Sequence, residues 1–318
     1  MTKVERVIFS ILAIMSVFAF IFWKDFAAAT NSKTKIADIK DVDKNSKKVQ
    51  KDSKKKNKKD EEEKTENTHP DIKIIQKWDL PANLKEISGI AFIKENQFAC
   101  VQDELGKIFV FNTESGKVEE EIQFADAGDY EGIAVVNETA YIVRADGLLF
   151  EVNNFFSGKP SLIQHNTHLT GKHDVEGLCY DKKNNRLLLS IKGNELKNEN
   201  YKGIYAFDLS LKKIATVPVH KIDLTDKIWD KVKGKNKIQP SDLDVHPLTR
   251  DIYIVDGANP KLLVMGADGI KKNLYHLSSS DFEQPEGITF TDNGELYISN
   301  EGKDRTGNIL KISIGKLP

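Results

Sequence analysis

Five short segments decide the fold: ISGIAF (87–92), YEGIAV (130–135), VEGLCY (175–180), PSDLDV (240–245) and PEGITF (285–290). Aligned on Ser88, Glu131, Glu176, Ser241 and Glu286, they recur at spacings of 43, 45, 65 and 45 residues. Each is followed by a polar turn and a second β-type run, FACVQD, AYIVRAD, RLLLSIKG, IYIVDG or LYISNEG. A third run follows in every unit (KIFVFN, LLFEVN, GIYAFDL, KLLVMG, NILKIS), and a weaker fourth closes four of them, as in VEEEIQF (118–124) and NLYHLS (273–278). The turns between are rich in Gly, Asn and Asp, as short antiparallel connections require. Four strands in about 45 residues, repeated, is the pattern of an all-β β-propeller.

The ends of the repeat set the blade count. The fifth unit runs out at Ile314 with three strands, while an unpaired strand, IKIIQKWDL (72–80), precedes the first. That strand can complete the last blade as its outer edge and close a ring of five. A six-bladed ring is the alternative, and it would need residues 194–238 to hide an irregular blade. That stretch has no second Gly-apolar column, and LTDKIWDKV (224–232) instead places Leu224, Ile228, Trp229 and Val232 at helical spacing behind Thr225 as cap.

Outward from the repeat, the chain of 318 residues divides into three. Val7 to Trp23 is an uncharged run of 17 residues behind Lys3 and Arg6. At ~1.5 Å per residue it reaches roughly 26 Å, enough for a thin bilayer core. Residues 1–29 therefore read as an uncleaved signal anchor, a single transmembrane helix; a cleaved signal peptide ending at Ala27-Ala28-Ala29 is the competing reading. Residues 30–70 hold almost nothing apolar, and KKVQKDSKKKNKKDEEEKTEN is a polyampholyte that cannot form a core, so a disordered stalk is expected. Residues 71–318 are the propeller. The basic flank before the apolar run places that body outside the cytoplasm, periplasmic or extracellular, tethered to the membrane by the N-terminal helix.

Charge narrows the partners. Residues 1–70 carry 16 Lys/Arg and 11 Asp/Glu, and 71–318 carry 31 and 37. An acidic body has no electrostatic reason to grip phosphate backbones, so no nucleic-acid partner is expected. The body is expected to be a monomer. Cys100 and Cys179 each sit in an apolar strand-like run and read as buried small hydrophobes. His165, His168, His173, His220, His246 and His276 are scattered at strand ends and in loops, without zinc-ligand spacing.

In a propeller the first strand of each blade is innermost, so the five aligned residues converge on one mouth of the channel. The next residue is Gly in four units and Asp242 in the fourth. The second strands should end at the same mouth, offering Asp103, Arg144, Lys192, Asp256 and Asn300, with Asp129 and Asp174 two residues before their glutamates. Carboxylates gathered there repel one another unless a hard cation intervenes, and Ca²⁺ accepts 6–8 oxygens in loose geometry. The other reading is that they cap backbone N–H groups or pair with Arg144 and Lys192. No G-x-S-x-G, P-loop or Rossmann glycine pattern occurs.

The EGIA/EGLCYD/PSDLDVHP/PEGITF series behind an N-terminal membrane segment resembles the SdiA-regulated family of bacterial β-propellers over roughly 72–318. The resemblance implies a five-bladed propeller with bound calcium, distantly similar to NHL-repeat and phytase-like propellers. It carries the calcium to Glu131, Glu176 and Glu286, with Asp242 as a further ligand. Ser88 and Ser241 stand where the family pattern has glutamate, so a full ring of five is absent. Three functions compete. The first is a calcium-binding propeller that holds an unidentified ligand or protein partner at the channel mouth. The second is a calcium-dependent, phytase-like phosphoesterase using Arg144 and Lys192, and the third is a lactonase-type hydrolase.

Overall fold

The computed structural model describes residues 68–232 and 236–315. The expected anchor, and the stalk as far as residue 67, lie outside the described residues. Among the described residues no helix is long and apolar enough to cross a membrane.

The chain enters on β1 (Ile72–Asp79) and then builds blade 1 from β2 (Ile87–Lys94), β3 (Gln97–Gln102), β4 (Lys107–Asn112) and β5 (Lys117–Gln123). Blade 2 is β6 (Tyr130–Val136), β7 (Thr139–Arg144), β8 (Leu149–Asn153) and β9 (Ser161–His165). Blade 3 is β10 (Val175–Asp181), β11 (Arg186–Ile191) and β12 (Tyr201–Asp208), with its outer edge broken into β13 (Lys213–Ile214) and β14 (His220–Asp223). Blade 4 is β15 (Pro240–Val245), β16 (Ile252–Asp256), β17 (Lys261–Met265) and β18 (Lys271–His276). Blade 5 is β19 (Pro285–Phe290), β20 (Leu296–Asn300) and β21 (Asn308–Ile314).

Closure is as the sequence suggests. β1 pairs antiparallel with β21, from Ile72 opposite Ile314 to Asp79 opposite Asn308, and is the outer edge of blade 5. The inner strands β2, β6, β10, β15 and β19 pack in that cyclic order, with β19 returning to β2. The ring has five blades. The described residues of 194–238 hold no sixth: β12, β13 and β14 all belong to blade 3.

The segment after β14 differs from the expected helix. It is a short 3₁₀ turn, Lys227–Lys231, capped by Asp226, whose side chain accepts from Ile228 N. Thr225 cannot cap because its hydroxyl is turned back to Asp223 Oδ1 at 2.7 Å. Trp229 donates its indole N–H to Asp223 O at 2.8 Å, which fixes the turn against blade 3.

Five apolar clusters occupy the five gaps between blades. Val101 and Ile133 meet in one, Tyr141 and Leu189 in the next, then Leu188 and Ile254, Val255 and Ile298, and finally Ile309 and Phe98. Alternate residues of a strand point to opposite faces. In β7, Ile142 therefore faces blade 1 while Tyr141 and Val143 face blade 3. Both faces of each middle strand are buried, so β7 and β11 read as continuous apolar runs rather than alternating ones. Cys100 and Cys179 are free, buried and in different blades.

Candidate functional site

Every inner strand is irregular at the same place. The register slips between Ile87 and Ile90, Tyr130 and Gly132, Val175 and Gly177, Pro240 and Asp242, and Pro285 and Gly287. Each slip spans the aligned residue: Ser88, Glu131, Glu176, Ser241 or Glu286. A bulge leaves one residue out of the ladder and re-aims its side chain. Five bulges at one level of a ring turn one sequence column into one layer of side chains.

In four of the five inner strands the bulge is followed by a glycine, held by close approach to the next blade. A Cβ on Gly132 would lie 2.7 Å from Glu176 O, and one on Gly89 2.8 Å from Glu131 O. On Gly287 it would lie 2.8 Å from Ser88 O, which closes the circuit.

The three glutamates share one electrostatic field. Burial pushes the Glu131 carboxyl up to about 10, reinforced by repulsion from Glu176, a carboxyl–carboxyl hydrogen bond with Asp129, and Glu286. Burial pushes Glu176 up to about 8 against the pull of Lys192, with Glu286 and Asp174 adding repulsion. Burial also raises Glu286, which Gln284 Nε2 contacts at 2.7 Å. Lys192 is the cation in this group, its Nζ 3.1 Å from Glu176 Oε2. Burial pulls that ammonium down, but attraction to Glu176, Glu286 and Glu131 outweighs it and holds Lys192 above its ordinary value. Asp103 belongs to the same acidic rim. Burial, then Glu86, Glu301, Glu104 and Asp129, push it up to about 6, and its buried Oδ1 has no hydrogen-bond partner. Asn300 Oδ1 is likewise buried and unpartnered.

Other expected rim residues are committed elsewhere. Arg144 makes a two-point contact with Asp146, at 3.0 and 2.8 Å, and lies over the Phe150 ring. Asp256 is in a buried ion pair with Lys261 at 2.7 Å. Ser241 stays at the mouth: its Oγ accepts from Gly257 N at 2.7 Å and its hydroxyl donates to the Glu286 carboxyl.

Asp242 takes a different part from the one the sequence suggested. Its Oδ1 accepts from Leu178 N of blade 3 at 3.1 Å and its Oδ2 from Ile288 N of blade 5 at 2.9 Å. An innermost strand has no sheet neighbour toward the axis, so its inward amides need other acceptors. Asp244 and Thr289 continue the pattern: Asp244 Oδ2 accepts from Phe290 N at 2.8 Å, and Thr289 Oγ1 from Phe92 N at 3.2 Å. Burial pushes Asp242 well above the usual carboxylate range while the N–H groups of Ile288, Leu243 and Leu178 pull against it. Asp244 is pushed up to about 7 by burial against similar donors. Asp244 and Thr289 went unread in the sequence. The signal was the second aspartate of PSDLDV, two residues along the same strand face.

A five-bladed β-propeller whose inner strands carry glutamates into one mouth is the class that this fold and site define. A family model described as SdiA-regulated matches residues 66–304, and the chain belongs to that family. Among solved structures, the glutaminyl cyclase of Myxococcus xanthus matches at a TM-score of 0.54 and 15% identity, over 77% of this chain and 97% of that one. A streptogramin B lyase matches at a TM-score of 0.45 and 11% identity, over 77% and 98%. At such identity the likeness to the cyclase shows the fold alone. No curated protein matches the chain.

Proposed function

We propose that the glutamate mouth takes a hard divalent cation, Ca²⁺, and that the chain is a membrane-tethered propeller presenting a ligand- or partner-binding surface outside the cytoplasm. The observation that carries the reading is the convergence of Glu131, Glu176 and Glu286 from three blades into one field with Lys192 as their counter-charge. Oxygen donors from a rigid ring suit Ca²⁺ in kind. Their spacing is not a finished cage: among the described residues no three His, Cys, Asp or Glu side chains already form a group able to hold a metal ion. Binding would therefore draw the three glutamates together and loosen Lys192 from Glu176. Asp242, occupied by backbone N–H groups, is outside this set. The unpartnered oxygens of Asp103 and Asn300 are further donors at the ends of their strands. Of the two basic residues the sequence offers for phosphate, Arg144 is committed to Asp146 and Lys192 is paired with Glu176, which favours binding over the phosphoesterase reading.

Calorimetry of the chelator-stripped full chain tests this. Ca²⁺ should bind with measurable heat and raise stability by about 2.7 kcal/mol at a hundredfold excess over Kd. Glu176→Gln should weaken that gain without unfolding the ring. No calcium heat, and a melting point indifferent to EDTA, would make the glutamates structural.

A further inference from the structure

Beyond the Asp242 layer the channel opens into a second cavity, of about 560 Å³, lined by the later residues of the inner strands. That is the size of a site for a small organic molecule, for which roughly 300–1,000 Å³ is usual. Its walls are largely apolar, with Ile90, Ile133, Leu178, Ile288, Phe92 and Phe290 among them.

Its polar lining is uneven. Lys182 and Lys183, on the turn after β10, and Arg250, on the turn before β16, line the same cavity. Both lysines are exposed, and neither makes an ion pair among the described residues. Arg250 is held rigidly. Its backbone sits at φ +70°, a left-handed conformation uncommon for a non-glycine residue, and its Nη2 is bonded to the buried Asp181. Arg186 Nε donates to the same carboxylate at 2.9 Å, so Asp181 is shared between two guanidinium groups. Arg250 Nε is buried without any hydrogen-bond partner. A buried guanidinium N–H left unpaired is costly, and an anion beside it would relieve that cost.

Two acids also line the cavity. The Asp244 carboxylate is already occupied by Val245 N, Phe290 N and the Thr289 hydroxyl. Asp292 follows β19 on blade 5, and blade 4 intervenes between it and the lysines of blade 3. The free positive charge is thus gathered on the side of blades 3 and 4, beside apolar walls.

We infer that this end of the channel binds a small organic anion, its apolar body against the inner strands and its charged head against Lys182, Lys183 and Arg250. The inference is independent of the cation at the other end, and Asp242 separates the two.

Two probes of one shape test it: 2-naphthoate and the uncharged 2-naphthamide, titrated calorimetrically into the full chain in detergent against a detergent blank. Naphthoate should bind saturably at one site. Lys182→Gln/Lys183→Gln, at exposed positions, should weaken naphthoate at least about fivefold and leave naphthamide within about twofold, with the melting point unchanged. Leu248→Ala, at a 71% exposed residue of the same lining, should weaken both probes. The inference is overturned by any of three results: no saturable naphthoate binding, lysine substitutions that leave naphthoate unchanged or weaken both probes equally, or indifference of both probes to Leu248→Ala.

Discussion

Replacing Lys192 by methionine separates the two ways in which the acidic mouth can be balanced. Its Nζ lies 3.1 Å from Glu176 Oε2, with the glutamate side chain 6% and the lysine 26% exposed. A hydrogen bond between charged groups contributes about 1.5–3 kcal/mol, and the lysine's partial exposure favours the lower end. Ca²⁺ must weaken that pair to use Glu176 and must also sit near the ammonium. Lys192→Met removes both obstacles, so Kd should fall by about tenfold, the equivalent of ~1.4 kcal/mol.

Protons complicate this in a way that sharpens the test. Glu131 and Glu176 are pushed up to about 10 and about 8, so the folded state holds protons that the unfolded chain releases at the ordinary carboxylate value of 4.5. The contribution of these two groups to the metal-free fold is then fully present below that value and is lost as pH rises through about 8 and toward about 10. Lys192 is the attraction that lowers Glu176, so its removal pushes Glu176 higher and lets protons compete better with Ca²⁺ at neutral pH. The tightening should be smaller at pH 7 and larger at pH 9, by calorimetry at both. The metal-free variant should melt below the wild type at pH 9 and close to it at pH 6, where a protonated Glu176 has no charge to leave unpaired. If Lys192→Met binds Ca²⁺ no more tightly at pH 9, or melts lower by the same margin at both pH values, the mouth is a static salt-bridge cap.

Three further expectations concern the ring. Removing residues 68–79 takes away the strand paired along β21, and with it the latch of His69 N on His276 O at 2.9 Å and of Ser278 N on Thr68 Oγ1 at 2.9 Å. Melting should drop sharply for this deletion, whereas a truncation beginning at Thr68 should melt like the full chain; equal melting of the two truncations would refute strand closure. Asp242→Ala strands the amides of Leu178 and Ile288 in the core, at about 1–3 kcal/mol each, measurable by urea titration, and Asp242→Asn should recover part of the loss. Gly132→Ala would set a methyl 2.7 Å from Glu176 O and should cost about 1–3 kcal/mol, whereas Gly116→Ala, in open space at φ +66°, should cost only its backbone strain of roughly 1 kcal/mol.

The ring was legible because its signal is local and repeated. A bulge is a backbone demand made once per blade and followed by glycine in four of the five, and it leaves the same short string at Glu131-Gly132, Glu176-Gly177 and Glu286-Gly287. The closing strand was legible for a related reason: three strands at one end and one spare at the other have a single economical pairing. The outer edge of blade 3 was not, because β13 spans two residues and β14 pairs with the same strand further along. The 3₁₀ turn was misread as a longer helix because spacing alone cannot show that the Thr225 hydroxyl would turn back to Asp223.

Which rim residues are free could not be read from one column, since each commitment is made across sequence. Arg144 looks like a mouth cation until Asp146, two residues on, claims it in a two-point contact. Asp242 looks like a fourth metal carboxylate until the N–H donors to its oxygens are traced 64 residues back to Leu178 and 46 forward to Ile288. The aspartate that stands in place of glycine in one unit is nevertheless what divides the channel into two ends. In the other four units the residue after the bulge is a glycine, and Gly89, Gly132 and Gly287 lie against the backbone of the next blade. In the fourth, a carboxylate links the flanking inner strands, leaving the glutamate layer on one side and the apolar cavity with its basic edge on the other. A cation bound to the glutamates and an anion bound beyond Asp242 would both act on strands β10 and β19. Each should therefore protect the same Leu178 and Ile288 amides from hydrogen exchange. Asp242→Ala removes those hydrogen bonds outright, so affinity is the decisive measurement: saturating Ca²⁺ that shifts the naphthoate Kd in the wild type but not in Asp242→Ala would show that this carboxylate couples the two ends, and a naphthoate Kd indifferent to Ca²⁺ in the wild type would show that they are independent.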